Sequence, residues 1–271
     1  MSEIKTIQSL VRAFSILELY TGTNKNDWTI NEISEALNLN KSTVYGLVDT
    51  LIYLGYLQKN KDKKIILGLK FLAYQKKIPL SELLNETVKP YMDEISNKFS
   101  ESANSAILLN GNMLYLDKVS VPGSVIVNND MNGAQFLHCT GLGKCLLAFS
   151  DNSVFEYYSK NNTLKKMTKN TITDINDLKN HLEKIKLQGY AVDDEELSIG
   201  LKCYAVPVFT QYDELLCAIS ISGVSKRIER LDEEELISEL KKTSENITKN
   251  MFKDWYFIQI ICLQKITIKK D

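Results

Sequence analysis

A run of small residues, Thr140-Gly141-Leu142-Gly143-Lys144, opens an apolar stretch whose spacing predicts a helix from Gly143 to Phe149. The first N–H groups of a helix have no partner inside it and carry partial positive charge, so a bare turn there can hold an anion. Further on, Ser220 and Ser222 stand two apart in the strand-like run Leu215 to Ser222, which puts both hydroxyls on one side of a sheet. Cys203 begins another apolar run, Cys203 to Phe209. Asp193 follows a third, Tyr190 to Val192, and heads the acidic stretch Asp193-Asp194-Glu195-Glu196. Brought together, these amides, hydroxyls, thiol and carboxyl bind a small polar molecule. Taken separately, they also fit a plain turn, a solvated strand face and a solvated acidic loop.

Other chemistry finds less support. His138-Cys139 and Cys145 match no standard structural zinc spacing, so no metal is expected. A nucleophilic pair of Cys203 or Cys139 with His138 is the enzyme alternative, and no third orienting group is evident. His181 falls among Lys and Glu on a predicted helix and is expected to be exposed. The chain has no phosphate-binding loop, dinucleotide fingerprint or His-Glu-x-x-His, so neither catalysis nor a cofactor is expected. A third reading makes this half of the chain an oligomerisation module that binds no metabolite.

The elements that carry these residues follow a different pattern from those before residue 80. Apolar residues Ile7, Leu10, Val11, Phe14 and Leu17 predict a helix with one buried face, ended by Gly22. Thr29 and Glu32 form a capping-box pair opening a second helix with Ile30, Ile33 and Leu37 inside. After the turn Asn38-Leu39-Asn40, a third helix starts near Lys41 and buries Val44, Leu47, Val48, Leu51 and Leu54. Gly55 ends it, and short strands Tyr56 to Gln58 and Lys64 to Leu67 flank the turn Lys59-Asn60-Lys61-Asp62-Lys63. This order describes a winged helix-turn-helix. Lys41, Ser42, Thr43 and Tyr45 are the expected groove contacts, and Lys59, Lys61 and Lys63 the expected phosphate contacts. A small helical bundle with a solvated charge run is the bland alternative. Residues 1–80 hold 11 Lys+Arg against 7 Asp+Glu, or +4, and the remainder 22 against 27, or −5, a mild bias towards nucleic acid at the N-terminal end.

With 271 residues, 44% hydrophobic and 25% charged, the chain has room for two modest domains and reads as globular. Five scattered cysteines suit a reducing, cytoplasmic setting. No secretory leader is expected, and Trp255 to Leu263 is too short for a membrane span, which takes about 20 residues. Leu69 to Ile78 is expected as a linker helix before Pro79, and a long helix covers Leu80 to Phe99. Strands are expected at Ser105 to Leu109, Met113 to Val119 and Ser124 to Asn128, with hairpin signals at Asn110-Gly111 and Asn132-Gly133. Further helices are expected at Asp151 to Tyr158, Ile175 to Gln188 and Leu231 to Phe252. The fold class is therefore α+β, an antiparallel sheet flanked by helices.

The stretch Ser9-Leu10-Val11-Arg12-Ala13-Phe14-Ser15-Ile16-Leu17, with Lys41-Ser42-Thr43-Val44-Tyr45, Thr50-Leu51 and Leu67-Gly68, resembles the DNA-binding domain of IclR-type regulators. His138 to Lys144, Gly189 to Glu196 and Ala218 to Gly223 resemble that family's effector domain. The resemblance covers about residues 5 to 250 in order. It implies a winged helix-turn-helix over 1–68, a linker over 69–79 and a GAF-like effector-binding and oligomerisation domain over 80–250. Residues 251–271 are a tail unlike the family's usual end. The resemblance also implies a double-stranded DNA operator, a homodimer or homotetramer, and a small-molecule effector, with a small organic acid as its class. Gly141 and Leu142 donate to it from the backbone, Asp193, Cys203, Ser220 and Ser222 supply side chains, and Leu201 lines the apolar wall. One departure stands out: Gly46 takes the place of the family's usual Arg, and costs about 1 kcal/mol of helix propensity against Ala.

Overall fold

The computed structural model describes residues 5–21, 23, 25–75, 77, 80–109, 111–123 and 136–251. The expected roles of Gly22, Pro79, Asn110, Ser124 to Asn128, Asn132-Gly133 and the tail beyond residue 251 lie outside those residues. Two compact units divide after residue 79.

The first unit holds α1 (Gln8–Glu18), α2 (Ile30–Ala36), α3 (Lys41–Tyr53), the antiparallel pair β1 (Leu57–Lys59) and β2 (Ile65–Leu67), and α4 (Lys70–Gln75). The capping box forms: the Thr29 hydroxyl accepts from Glu32 N–H, and the Glu32 carboxylate accepts from Thr29 N–H. Asn38 and Gly55 take positive φ at the two turns that end α2 and α3. The core gathers Ile16, Leu17, Tyr20, Trp28, Ile33, Val44, Val48, Leu51, Leu57 and Ile65. Trp28 also pairs with Ile65, so a third short segment joins the hairpin.

Three expectations differ from the structure. The face of α1 that enters the core carries Ile16 and Leu17, joined by Tyr20 just beyond the helix, whereas Ile7, Leu10 and Phe14 are 66%, 55% and 60% exposed. The helix is apolar over more than one face, and periodicity alone does not say which face the neighbouring helices cover. Leu54 is also exposed, because α3 ends at Tyr53 and Leu54 is its C-cap. The linker helix is shorter than expected, Lys70–Gln75.

The second unit contains α5 (Leu80–Phe99), β3 (Ser102–Leu109), β4 (Asn112–Val119), α6 (Gly141–Phe149), α7 (Asn152–Asn161), α8 (Ile175–Gln188), β5 (Ala191–Asp194), β6 (Leu201–Phe209), β7 (Leu215–Val224), α9 (Ser225–Ile228) and α10 (Glu233–Met251). The short α9 has no counterpart in the expected elements. The five strands lie in the order β4-β3-β7-β6-β5, all antiparallel. Side chains alternate across this sheet. One face presents Ala103, Ile107, Tyr204, Val206, Ile219 and Ile221 to α5 and α10. The other presents Ala106, Ala191, Ala205 and Ala218, a floor of small residues on which α6 rests, with α8 behind it. Eight of the nine residues of α6 are buried, so this helix is enclosed and not a surface helix. No described helix is long and apolar enough to cross a membrane.

Candidate functional site

On the small-residue face, polar side chains replace alanine where the sheet runs beyond the start of α6. Asp193 pairs across to Cys203, and Cys203 to Ser222. One step along, Ala205 pairs to Ser220, and Ser220 to Asn104. Asp193, Ser220 and Ser222 are all buried, so the Ser-x-Ser pair does not face solvent. Asn104 Nδ2 donates to Ser222 Oγ at 2.9 Å.

The helix start closes over this patch. Thr140 caps α6, its hydroxyl accepting from Gly143 N–H. Gly141 lies against the Cys203 sulfur, where a Cβ would come within 2.9 Å. Gly141 N–H and Leu142 N–H, the other two first-turn donors, have no protein acceptor among the described residues. The helix begins two residues earlier than expected, at Gly141, because Thr140 and not Leu142 is the cap.

Gly141, Leu142, Asp193, Leu201, Cys203, Ser220 and Ser222 line one cavity of about 20 Å³. Sequence reasoning missed four further lining residues, Asn104, Tyr115, Thr140 and Leu197. Tyr115 sits on the expected strand Met113 to Val119 and Asn104 just ahead of the expected strand Ser105 to Leu109; the β3–β4 and β3–β7 registers bring them here. A groove of about 570 Å³ runs between α7 and α8, over Leu147, Phe155, Ile175 and Leu182. It is larger, yet its polar groups are exposed rim residues such as Glu156, Lys179 and Lys186. Converging buried polar groups mark a specific site better than volume does, which favours the smaller cavity.

Burial sets the electrostatics. The Asp193 carboxyl is pushed up to about 7 by desolvation, while its Oδ1 accepts from Glu196 N–H at 2.8 Å and Leu197 N–H at 3.3 Å. Behind it, the fully buried Lys144 pairs with Glu196, whose carboxyl is raised by burial. Thr168 and Thr171 hydroxyls donate to the carbonyls of Glu195 and Glu196, each at 2.6 Å, and pin the same turn. His181 is half-buried, with Nε2 3.5 Å from Lys144 Nζ. Desolvation and that ammonium lower its pKa to about 4. The expectation that His181 is exposed is therefore corrected: α8 turns this position towards α6.

The Cys–His pair does not assemble. Lys165 C=O can only accept, so His138 Nε2–H donates to it at 3.0 Å, and Tyr158 O–H donates to Nδ1 at 3.1 Å. Both ring nitrogens are thus occupied in a neutral imidazole, consistent with a pKa lowered by burial. Burial pushes the Cys139 and Cys203 thiols up to about 12, far from the thiolate a nucleophile needs. Among the described residues no group of three or more His, Cys, Asp or Glu could hold a metal.

In the first unit, Lys41, Ser42 and Tyr45 are exposed on α3 and Thr43 is half-buried. Lys59, Lys61 and Lys63 are all exposed at the β1–β2 turn. Asn60 shapes that turn, its Oδ1 accepting from Asp62 N–H and Lys64 N–H, each at 3.0 Å. Lys64 is held apart from the other three by its ion pair with Asp27.

The family model described as "Bacterial transcriptional regulator IclR C-terminal" matches residues 80–249. The chain belongs to the IclR family. The IclR helix-turn-helix domain matches residues 9–61 as well. Among IclR-type relatives, the HTH-type transcriptional regulator KdgR of Dickeya chrysanthemi is 28% identical over 247 residues, 91% of this chain and 80% of that one. The crystal structure of Thermotoga maritima IclR is 30% identical, with a TM-score of 0.56 over 91% of this chain and 99% of that one. An IclR homologue from Microbacterium hydrocarbonoxydans, complexed with 4-hydroxybenzoate, shares the fold at 21% identity, with a TM-score of 0.58 over 90% and 98%. As an IclR-type protein the chain is a DNA-binding transcriptional regulator with a C-terminal effector domain.

Proposed function

We propose that this regulator binds a double-stranded operator through α3 and the β1–β2 wing, and that a small organic acid in the α6 cavity controls that binding. The observation that carries the reading is the convergence of seven residues from α6, β5, β6 and β7 on one buried cavity. Leu142 N–H and the hydroxyls of Ser220 and Ser222 suit a carboxylate, and Leu201 supplies an apolar wall. The 4-hydroxybenzoate in the Microbacterium homologue, itself a small organic acid, supports the class. A free volume of about 20 Å³ holds about one water, so an acid enters only as lining side chains such as Leu197 and Leu201 part.

In this reading the protein works in the cytoplasm as a homodimer or homotetramer, and it is not an enzyme. The exposed apolar residues Ile7, Leu10 and Phe14 support association, because such a stripe is costly left in water. Paired copies match a two-fold operator. The domain limits 1–68, 69–79 and 80–250 are part of the same proposal. A thermal-shift screen against sugar acids, keto acids and aromatic acids tests the cavity. An acid that raises the melting temperature of the wild type, and not of Ser220→Ala, supports it. An acid that stabilises both equally binds elsewhere.

A further inference from the structure

Ser42, Gly46, Asp49 and Tyr53 recur at spacings of four, three and four, and form the middle of the exposed face of α3. Val44, Val48 and Leu51 are buried on the opposite side, and Tyr53 is 89% exposed. Nothing within the fold asks for glycine at 46. A Cβ there meets no atom within 4 Å, and the residue is not among those with positive φ. A residue that weakens a helix without an internal reason suits a close approach by something outside it.

The second observation is Asp49, the one acidic side chain in α3. Among the described residues it forms no ion pair or side-chain hydrogen bond, although it lies one turn from Gly46 on the same stripe. A free carboxylate at the centre of a DNA-facing helix opposes the phosphates, whatever the sequence. It is offset only by a donor on a base edge, and in the major groove the donor that pairs with a carboxylate is the cytosine amino group. The Asp side chain is short, so the backbone must come close for it to reach.

We infer that Gly46 lets α3 sit deeply enough in the major groove for Asp49 to accept a hydrogen bond from a cytosine amino group, making the two residues a specificity pair. This rests on the reading that α3 enters the groove.

The test is selection of binding sites by the full-length protein from a random-sequence duplex library, followed by affinity for the selected duplex at fixed salt. Gly46→Ala is expected to melt a few degrees higher and yet bind the selected duplex at least tenfold more weakly, with binding to unselected duplex unchanged. Asp49→Asn is expected to replace a cytosine preference at one position by adenine, since a carboxamide pairs with adenine there. Wild-type affinity in Gly46→Ala, or the same selected base in Asp49→Asn, overturns the inference. Thr43→Ala and Tyr45→Ala separate the two levels. If they change the selected sequence and the other two variants do not, only the Gly46–Asp49 pair falls. If none of the four changes it, α3 is not the reading element and both fall.

Discussion

Gly141 and Cys203 meet with no room for a methyl group between them: a Cβ on Gly141 would lie 2.9 Å from the Cys203 sulfur. The contact fixes the first turn of α6 against β6. Gly141→Ala is therefore expected to destabilise the second unit by about 1–3 kcal/mol, the usual cost of overpacking. Cys203→Ala in the same chain removes the obstructing atom and should restore most of the loss. Urea unfolding of the two single variants and the double variant measures this, and purely additive effects would show that the contact is not the cause.

Lys144 and Glu196 form a second constraint, tying α6 to the turn that carries Asp193. Lys144→Met leaves the Glu196 carboxylate buried without its cation, at a cost of about 3–5 kcal/mol. Adding Glu196→Leu removes the stranded group and should recover much of that. Burial already raises the Glu196 carboxyl, so the single variant should gain stability as pH falls and Glu196 takes up a proton. Equal stability of the single and double variants at neutral pH would count against the pair's role.

The three exposed wing lysines are expected to meet phosphate and so to act on any DNA sequence. Replacing Lys59, Lys61 and Lys63 with Ala should flatten the dependence of log affinity on log salt by up to about 3, and weaken selected and random duplexes alike. An unchanged slope would take the wing out of the interface.

The proposed effector site is expected to depend on pH through Asp193. Its folded pKa lies near 7 against an ordinary 3.8, so the stability it contributes is fully present below about 4 and is lost as pH rises through about 7. A carboxylate effector beside it favours the protonated acid further, because two adjacent carboxylates do not both ionise. Binding then takes up a proton and should weaken by up to about tenfold per pH unit above 7. Isothermal titration of any acid that stabilises the protein checks this, with Asp193→Asn expected to remove the dependence. A flat profile in the wild type would mean that the acid does not sit beside Asp193.

Much of this architecture is legible in the residues. The α8 bounds follow from Asp174, which caps it by accepting from Asn176 N–H and Asp177 N–H, and from Gly189, whose positive φ ends it. Cap and stop are local chemistry, so they can be read without the fold. Residue type and spacing single out the turn at Gly141 and Leu142 and the side chains of Asp193, Cys203, Ser220 and Ser222, the family resemblance adds Leu201 and joins them in one site, and their convergence is a matter of strand register. Asn104 shows what local pattern does not carry: it becomes a lining residue because β3 pairs with β7 in one register, through partners more than a hundred residues away. The exposed Ile7, Leu10 and Phe14 and the inward-turned His181 fail for the same reason. Periodicity marks a helical face, but only packing decides what that face meets.

One small acid in the α6 cavity is expected to alter DNA affinity, which is measured by titrating a stabilising acid into the protein bound to its selected duplex at fixed salt. An effector shifts DNA affinity only if it binds the DNA-competent and incompetent arrangements unequally. A severalfold or larger change in duplex affinity is expected for the wild type, and none for Ser220→Ala or Asp193→Ala. An acid that raises the melting temperature through this cavity and leaves duplex affinity unchanged would contradict it.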